Sequence, residues 1–155
     1  MEKFNDYIYY MMHDDNNDEP YLFYIKGTKF SLQIDAGNSP KSYKQFEELL
    51  EEEGLKKPDL LVLTHWHWDH TFGLTSAKCP VIASNKTQEY LKDVLTWSWN
   101  EEDMLQRIKE KKDIEFCYEK MHMEYPDISK ISTRLADIFV SEASEYIKNQ
   151  YGINY

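Results

Sequence analysis

Residues 60–70 read Leu60-Leu61-Val62-Leu63-Thr64-His65-Trp66-His67-Trp68-Asp69-His70. The opening is an uninterrupted apolar run of the kind that fits a strand buried on both faces. The six residues after Thr64 hold three of the five histidines in the chain. At this composition an H-x-H-x-D-H string would arise by chance on the order of a few times in ten thousand such sequences. While the backbone stays extended, His65 and His67 point to one side and Trp66 and Trp68 to the other. Two imidazoles on one side can grip one zinc ion at about 2 Å. Asp69 and His70 come where the chain turns, and can reach a second ion about 3.5–4 Å from the first. A water or hydroxide between the ions would then be the nucleophile. A purely structural histidine cluster is the bland alternative, and the spacing favours the metal.

Upstream, the aromatic runs 4–12 and 21–26 read as strands joined by the polar turn His13 to Pro20, hence a hairpin. A third strand is predicted over Lys29–Ile34, with Phe30, Leu32 and Ile34 alternating against Lys29, Ser31 and Gln33. The opening is thus an antiparallel meander, closed by Asp35-Ala36-Gly37-Asn38. Ser39-Pro40 is an N-cap followed by a proline at the first helical position, and Gly54 is placed to end that helix. Tyr43, Phe46, Leu49 and Leu50 recur at helical spacing between them.

Downstream, Pro80–Ser84 reads as a second short strand. From Thr87 the chain turns helical, with stripes at Tyr90, Leu91, Val94 and Leu95, at Met104, Leu105 and Ile108, and at Ile114, Cys117, Met121 and Tyr125. Ile131, Leu135 and Ile138 fit helix or extended chain equally, and 141–155 is a polar tail. Strand, helix, strand, strand indicates a mixed α/β layer fold. No Gly/Ser/Pro linker divides the 155 residues, so a single domain is expected.

Lys and Arg number 18 against 28 Asp and Glu, a net charge of −10. That balance argues against broad binding to nucleic-acid backbone or to an anionic membrane. No signal peptide and no membrane-length apolar run is visible. Cys79 and Cys117 make no CxxC pair, so buried thiols in a reducing compartment, the cytoplasm, are expected.

His65-Trp66-His67-Trp68-Asp69-His70 after an apolar strand resembles the HxHxDH signature of the metallo-β-lactamase-fold metallohydrolases. The likeness extends to Ile34-Asp35-Ala36-Gly37, similar to that family's strand ending in an Asp-x-Gly turn, and to Thr71-Phe72-Gly73-Leu74 with the strand 80–84. It covers about residues 4–126, with 127–155 left as an unassigned tail. The resemblance implies an α/β (α+β layered) fold, the N-terminal half of an αββα sandwich with a helical insertion after the second motif-flanking strand. It implies one or two zinc ions, with iron or manganese as alternatives, His65 and His67 on the first and Asp69 and His70 on the second. Asp69 would also orient the attacking water, as the catalytic residue, and Asp35 would steady the histidine loop from behind.

That family completes its site with a Gly-His-Ser/Thr segment, an Asp following a Gly, and a last histidine. After His70 this chain offers only His122, and only Gly73 and Gly152. The expectation is therefore an incomplete domain, a truncated product or one half of a split protein. Two functions stand side by side. One is a metal-dependent hydrolase of a small ester, thioester or amide. The other is a non-catalytic half-domain that binds metal or a partner, either a second copy or a complementary half, through an open sheet face. His122 reads as an ordinary histidine, and His13 as part of a solvated acidic turn. The four tryptophans serve either a substrate mouth or packing behind the motif. Glu47 to Glu53 is the wet face of the first helix, and Asp127 and Asp137 have no spacing that would make them ligands.

Overall fold

The computed structural model describes residues 1–140. It contains a seven-stranded sheet whose strands lie side by side in chain order. Strands β1 (Glu2–Lys3), β2 (Ile8–Met11), β3 (Leu22–Lys26) and β4 (Ser31–Ile34) form the antiparallel meander. Strands β5 (Leu60–Val62), β6 (Val81–Ser84) and β7 (Ile138–Val140) continue the sheet in parallel, each reached through helical crossovers. The 131–138 stretch, open between helix and strand, therefore ends in a strand. The polar tail predicted over 141–155 lies outside the described residues.

Helix α1 (Pro40–Glu52) begins where expected. Ser39 accepts from the Ser42 amide at 3.0 Å, Pro40 stands at the first position, and Gly54 follows the end at φ +66°. After β5 come the four-residue helix α2 (Trp68–Thr71) and a 3₁₀ turn over Phe72–Ser76. The helical stretch after β6 resolves into α3 (Asn85–Val94), α4 (Glu101–Lys109) and α5 (Glu115–Glu124), the first two capped by Ser84 and Asn100. Of the predicted stripes, Leu91, Val94, Met104, Met121 and Tyr125 are buried, whereas Tyr90, Leu95, Leu105 and Ile114 are exposed. The true inner face of α3 is Thr87, Gln88, Leu91 and Val94. Gln88 is usable there because it donates to Ala136 O and accepts from the Ala136 amide.

Three apolar clusters make the core, and all lie on one side of the sheet. Tyr9, Met11, Leu22 and Tyr24 pack under Phe46 and Leu50 of α1. Leu61, Leu63, Val81 and Ala83 pack against Tyr43 and Leu91. Trp68, Phe72, Val94, Met104, Met121 and Tyr125 join the helical segment to the motif. Glu124 is buried at the end of α5. It accepts from Ser39 Oγ at 2.5 Å and from Asn17 Nδ2 at 2.9 Å, tying α5 to the hairpin turn and to the start of α1.

The alternation read over Lys29–Ile34 is inverted in the fold. Ser31 and Gln33 are fully buried, Phe30 is 62% exposed, and Leu32 and Ile34 are half-buried. Leu32 and Ile34 belong to the opposite face of the sheet. There two apolar rows run across the strands: Ile8, Ile25, Leu32 and Leu60, then Tyr10, Phe23, Ile34, Val62, Ile82 and Ile138. None of these ten residues belongs to a core cluster. The structure is a partial α/β sandwich with helices on one face and the other face bare among the described residues.

Candidate metal centre

The motif follows β5 directly. His65, Trp66 and His67 stay extended, and the backbone coils into α2 at Trp68. As predicted, the two histidines share a side, with His65 Nε2 3.0 Å from His67 Nδ1. Trp66 stacks on Tyr90 at 4.8 Å, and Trp68 is buried in the helical cluster. The turn of α2 then sets His70 against His65, ring centroids 4.1 Å apart, and Asp69 Oδ2 3.0 Å from His70 Nε2. All four predicted ligands, His65, His67, Asp69 and His70, are thus brought together.

Asp35 organises them. It adopts a left-handed conformation (φ +60°), which aspartate visits more readily than most side chains. Its carboxylate accepts from the Thr64 amide at 2.8 Å, from Thr64 Oγ at 2.7 Å and from His70 Nδ1 at 2.8 Å. Its own carbonyl is held by buried Gln33, and the next amide, Ala36, donates to His70 O. A Cβ on Gly73 would meet Ala36 O at 2.0 Å, so only glycine lets the chain after the motif lie this close to the 35–37 turn.

This network fixes tautomers. Thr64 spends its one hydroxyl proton on Asp35, so it accepts from His65 Nδ1 at 3.0 Å and leaves a lone pair on His65 Nε2. His70 donates Nδ1–H to Asp35, which aims Nε2 at Asp69. Burial works against the charged form of His70, but the hydrogen bonds and charges of Asp35 and Asp69 outweigh it and lift the imidazole to about 9. Burial and the two neighbouring imidazoles push His65 down.

Imidazole nitrogens backed by a carboxylate, with a further carboxylate alongside, are the donor chemistry of zinc. Two atoms bound at about 2 Å to a tetrahedral zinc stand about 3.3 Å apart, close to both 3.0 Å pairs. Among the described residues, however, no three His, Cys, Asp or Glu side chains converge as a metal-holding set. The donors fit in kind and in pairs, and fall short of three converging ligands.

Other candidates lie elsewhere. His122 faces Glu101 at 3.1 Å and stacks on Tyr118, and His13 pairs with exposed Asp15. Asp127 caps a 3₁₀ turn, and Asp137 accepts from the Val81 amide and from Arg134. The tryptophans pack behind the motif, and all four line a cavity of about 390 Å³ with His67 and Asp69 in its wall. The sequence reading passed over Thr64 and the Arg107 side chain, whose guanidinium stands 4.7 Å from the Trp97 and Trp99 rings alike. Arg107 lies eight residues past Trp99, inside α4, so no local sequence signal joins it to the tryptophans.

No curated protein sequence matches the chain. Solved structures do. DIM-1 metallo-beta-lactamase superposes with a TM-score of 0.51 at 18% identity, covering 60% of this chain and 45% of that one. FIM-1 from Pseudomonas aeruginosa, in its mono-zinc form, gives 0.49 at 16% over 59% and 44%. BJP-1 of Bradyrhizobium japonicum, a subclass B3 metallo-beta-lactamase, gives 0.48 at 23% over 57% and 34%. The chain spans less than half the length of each, and at these identities the likeness concerns the fold. The sequence profile of the metallo-beta-lactamase superfamily matches residues 20–112, more than half the chain and the whole stretch from β3 through the motif to α4. The chain therefore belongs to the metallo-beta-lactamase superfamily, a family of metal-dependent hydrolases.

Proposed function

We propose that the segment 65–70 is the half-site of a zinc-dependent hydrolase acting on a small ester, thioester or amide, with iron or manganese as alternative metals. The observation that carries this reading is the Asp35 clamp, which holds His70 by its Nδ1 and, through Thr64, keeps a lone pair on His65 Nε2, turned toward His67 Nδ1. Zinc, when bound, supplies Lewis acidity and a water acidic near neutral pH. His65 and His67 would hold one ion and Asp69 and His70 a second, with Asp69 also orienting the attacking water. His70 Nε2, which faces Asp69, would have to give up its proton before it could ligate, so metal uptake would release protons. Phosphodiesters are disfavoured, because a chain of net charge −10 offers no basic surface to them. Elemental analysis of untagged protein tests the reading. One or two zinc ions per chain, lost in His67→Ala, are expected; substoichiometric metal unchanged by that substitution sinks it.

A second reading, an interaction half-domain, is favoured by the bare sheet face. Its ten row residues carry no carboxylate, amine or guanidinium although the chain has a net charge of −10, and charge returns only at the margin, with Glu2 opposite Tyr10. A sheet face with an apolar centre is best covered by another of its kind, at about 10 Å. We take the occupant to be a second copy of this chain. Ten side chains per copy are few beside the 20–30 of a standard interface, so the dimer is weak, with Kd of about 10–100 μM.

A further inference from the structure

We propose that the cavity beside the motif is a binding pocket for a neutral aromatic group that carries a hydrogen-bond acceptor, such as an aryl ketone, ester or amide. Its role as the substrate's acyl or leaving-group pocket rests on the hydrolase reading above; its binding of such a group does not.

The space is about 390 Å³, within the range of ordinary small-molecule pockets. Its walls are Trp66, Trp68, Trp97, Trp99, Phe72 and Phe116. Flat rings at mutual tilts suit a flat guest through offset and edge contacts. Trp97 and Trp99 meet at 5.8 Å and 55°, and Phe72 stands edge-on to Trp99 at 5.2 Å. The walls are held in place from behind. Arg107, 93% buried, stands 4.7 Å from both Trp97 and Trp99 and donates to Ser98 O, while Trp66 stacks on Tyr90.

Two features define the guest further. Trp68 is 5% exposed, and its indole N–H lies toward the Asp18 carboxyl and the Cys117 thiol without reaching hydrogen-bonding geometry to either. A buried donor left short of its acceptors on a cavity wall gains a full partner when a ligand or water supplies an oxygen. The pocket's charges favour a neutral guest. Asp18, Asp69 and Asp113 contribute carboxylates, against Lys111 and a Lys112 already paired with Glu110 at 2.7 Å. Burial holds the Asp18 and Asp113 carboxyls above their ordinary range, so this environment disfavours charge. His67 and Asp69 sit in the same wall, which sets the guest's oxygen beside the motif.

The test uses the chain's own reporters, because its four tryptophans all line this cavity. The full chain, without added metal, is titrated with 2-acetonaphthone and followed by tryptophan emission and by calorimetry. Saturable quenching with Kd of about 100 μM is expected for a ligand of about a dozen heavy atoms. Trp68→Phe, which keeps a ring and deletes the donor, weakens binding about fivefold. Phe116→Ala, on the exposed rim, weakens it about threefold with the melting temperature held. The anion 2-naphthoate binds at least tenfold more weakly than the ketone. No saturable signal up to 1 mM, equal affinity for the two ligands, or both variants binding as wild type overturns the pocket. Ketone binding in a chain that takes up no zinc upholds the pocket and refutes the hydrolase reading. Zinc uptake without ketone binding does the reverse.

Discussion

The two faces of the sheet in this chain are made from the same strands and fare differently. On one, Leu22, Tyr24, Leu61 and Val81 are completely buried beneath α1 and α3. On the other, Ile25, Leu32, Ile34 and Val62 are only half-buried, with nothing among the described residues packed on them. The covered face is also the more polar in β4, where Ser31, Gln33 and, just beyond, Asp35 point inward. These three residues form a spine. Asp59 holds Ser31, Gln33 holds the Asp35 carbonyl, and Asp35 holds Thr64 and His70. The covered side of the central strand is given over to supporting the histidine loop, and its apolar residues go to the side left open among the described residues.

The largest test sets adjacent residues against each other. Leu61 and Val62 are neighbours in β5 on opposite faces. Leu61→Ala removes a fully buried side chain and should cost about 3–4 kcal/mol. Val62→Ala removes two methyl groups from a half-open surface and should cost about 1 kcal/mol. Urea denaturation of both variants at low protein concentration measures the gap. Equal losses would mean that the second face is covered in solution.

Next comes the spine itself. Asp35→Asn keeps the shape but gives up the charge that fixes His70, and a carboxylate behind a ligating histidine is typically worth 10- to 100-fold in metal affinity. Zinc titration should show a loss of about that size, whereas Ile34→Ala, one residue away on the bare face, should leave zinc affinity within about twofold. A smaller effect concerns the bare face alone. Val62→Lys sets a charge at the centre of the longer apolar row, and should abolish dimerisation seen by sedimentation equilibrium at about 100 μM protein. A wild-type chain that stays monomeric at 1 mM removes the second-copy reading. Mutual association with a different polypeptide would then identify what covers the face.

How much of this was legible follows from how local each signal is. The hairpin, the cap at Ser39-Pro40 and the run Leu60–Leu63 are written in neighbouring residues, and all three became strands or helix where predicted, but the run, expected to be buried on both faces, is covered only on the Leu61 side, with Leu60 and Val62 half-buried on the bare one. The motif was legible as a pattern, and its extended first half and coiled second half place the four side chains together. Which face of β4 is covered was not legible. Hydropathy assigns Leu32 and Ile34 to the inside, and only a helix arriving from elsewhere decides otherwise. The cavity was equally hidden, because Trp68 and Trp99 are joined through Phe72 in a cluster with Met104 and Met121 of α4 and α5, some thirty to fifty residues from Trp68 in sequence. Asp35 was legible only through the family resemblance, since nothing in its spacing from His70 announces a hydrogen bond.

The smallest expected effect separates the two faces by pH. Asp59 accepts from Lys56 Nζ at 2.7 Å, from the Ser31 amide at 2.7 Å and from Ser31 Oγ at 3.0 Å. The lysine first, and then the Ser31 donors, hold its carboxyl down at about 2, against 3.8 ordinarily. A depressed carboxyl pKa means that the folded chain prefers the ionised form. Its contribution is complete above about pH 4 and is lost as the pH falls through 2. Asp59→Asn should therefore lower stability at pH 6 and flatten the acid limb between pH 4 and 2, as read from urea midpoints across that range. The ten row residues of the bare face carry no titrating side chain in that range, and the carboxylates lie at its margin, Glu2 opposite Tyr10 and Asp15, Asp18 and Glu19 beside Phe23 and Ile34, so association through the rows should hold its Kd within about threefold from pH 6 to pH 4. If Kd shifts beyond that while the acid limb is unchanged in Asp59→Asn, charge acts on the open face rather than under the helices, and the division between a polar supporting side and an apolar docking side fails.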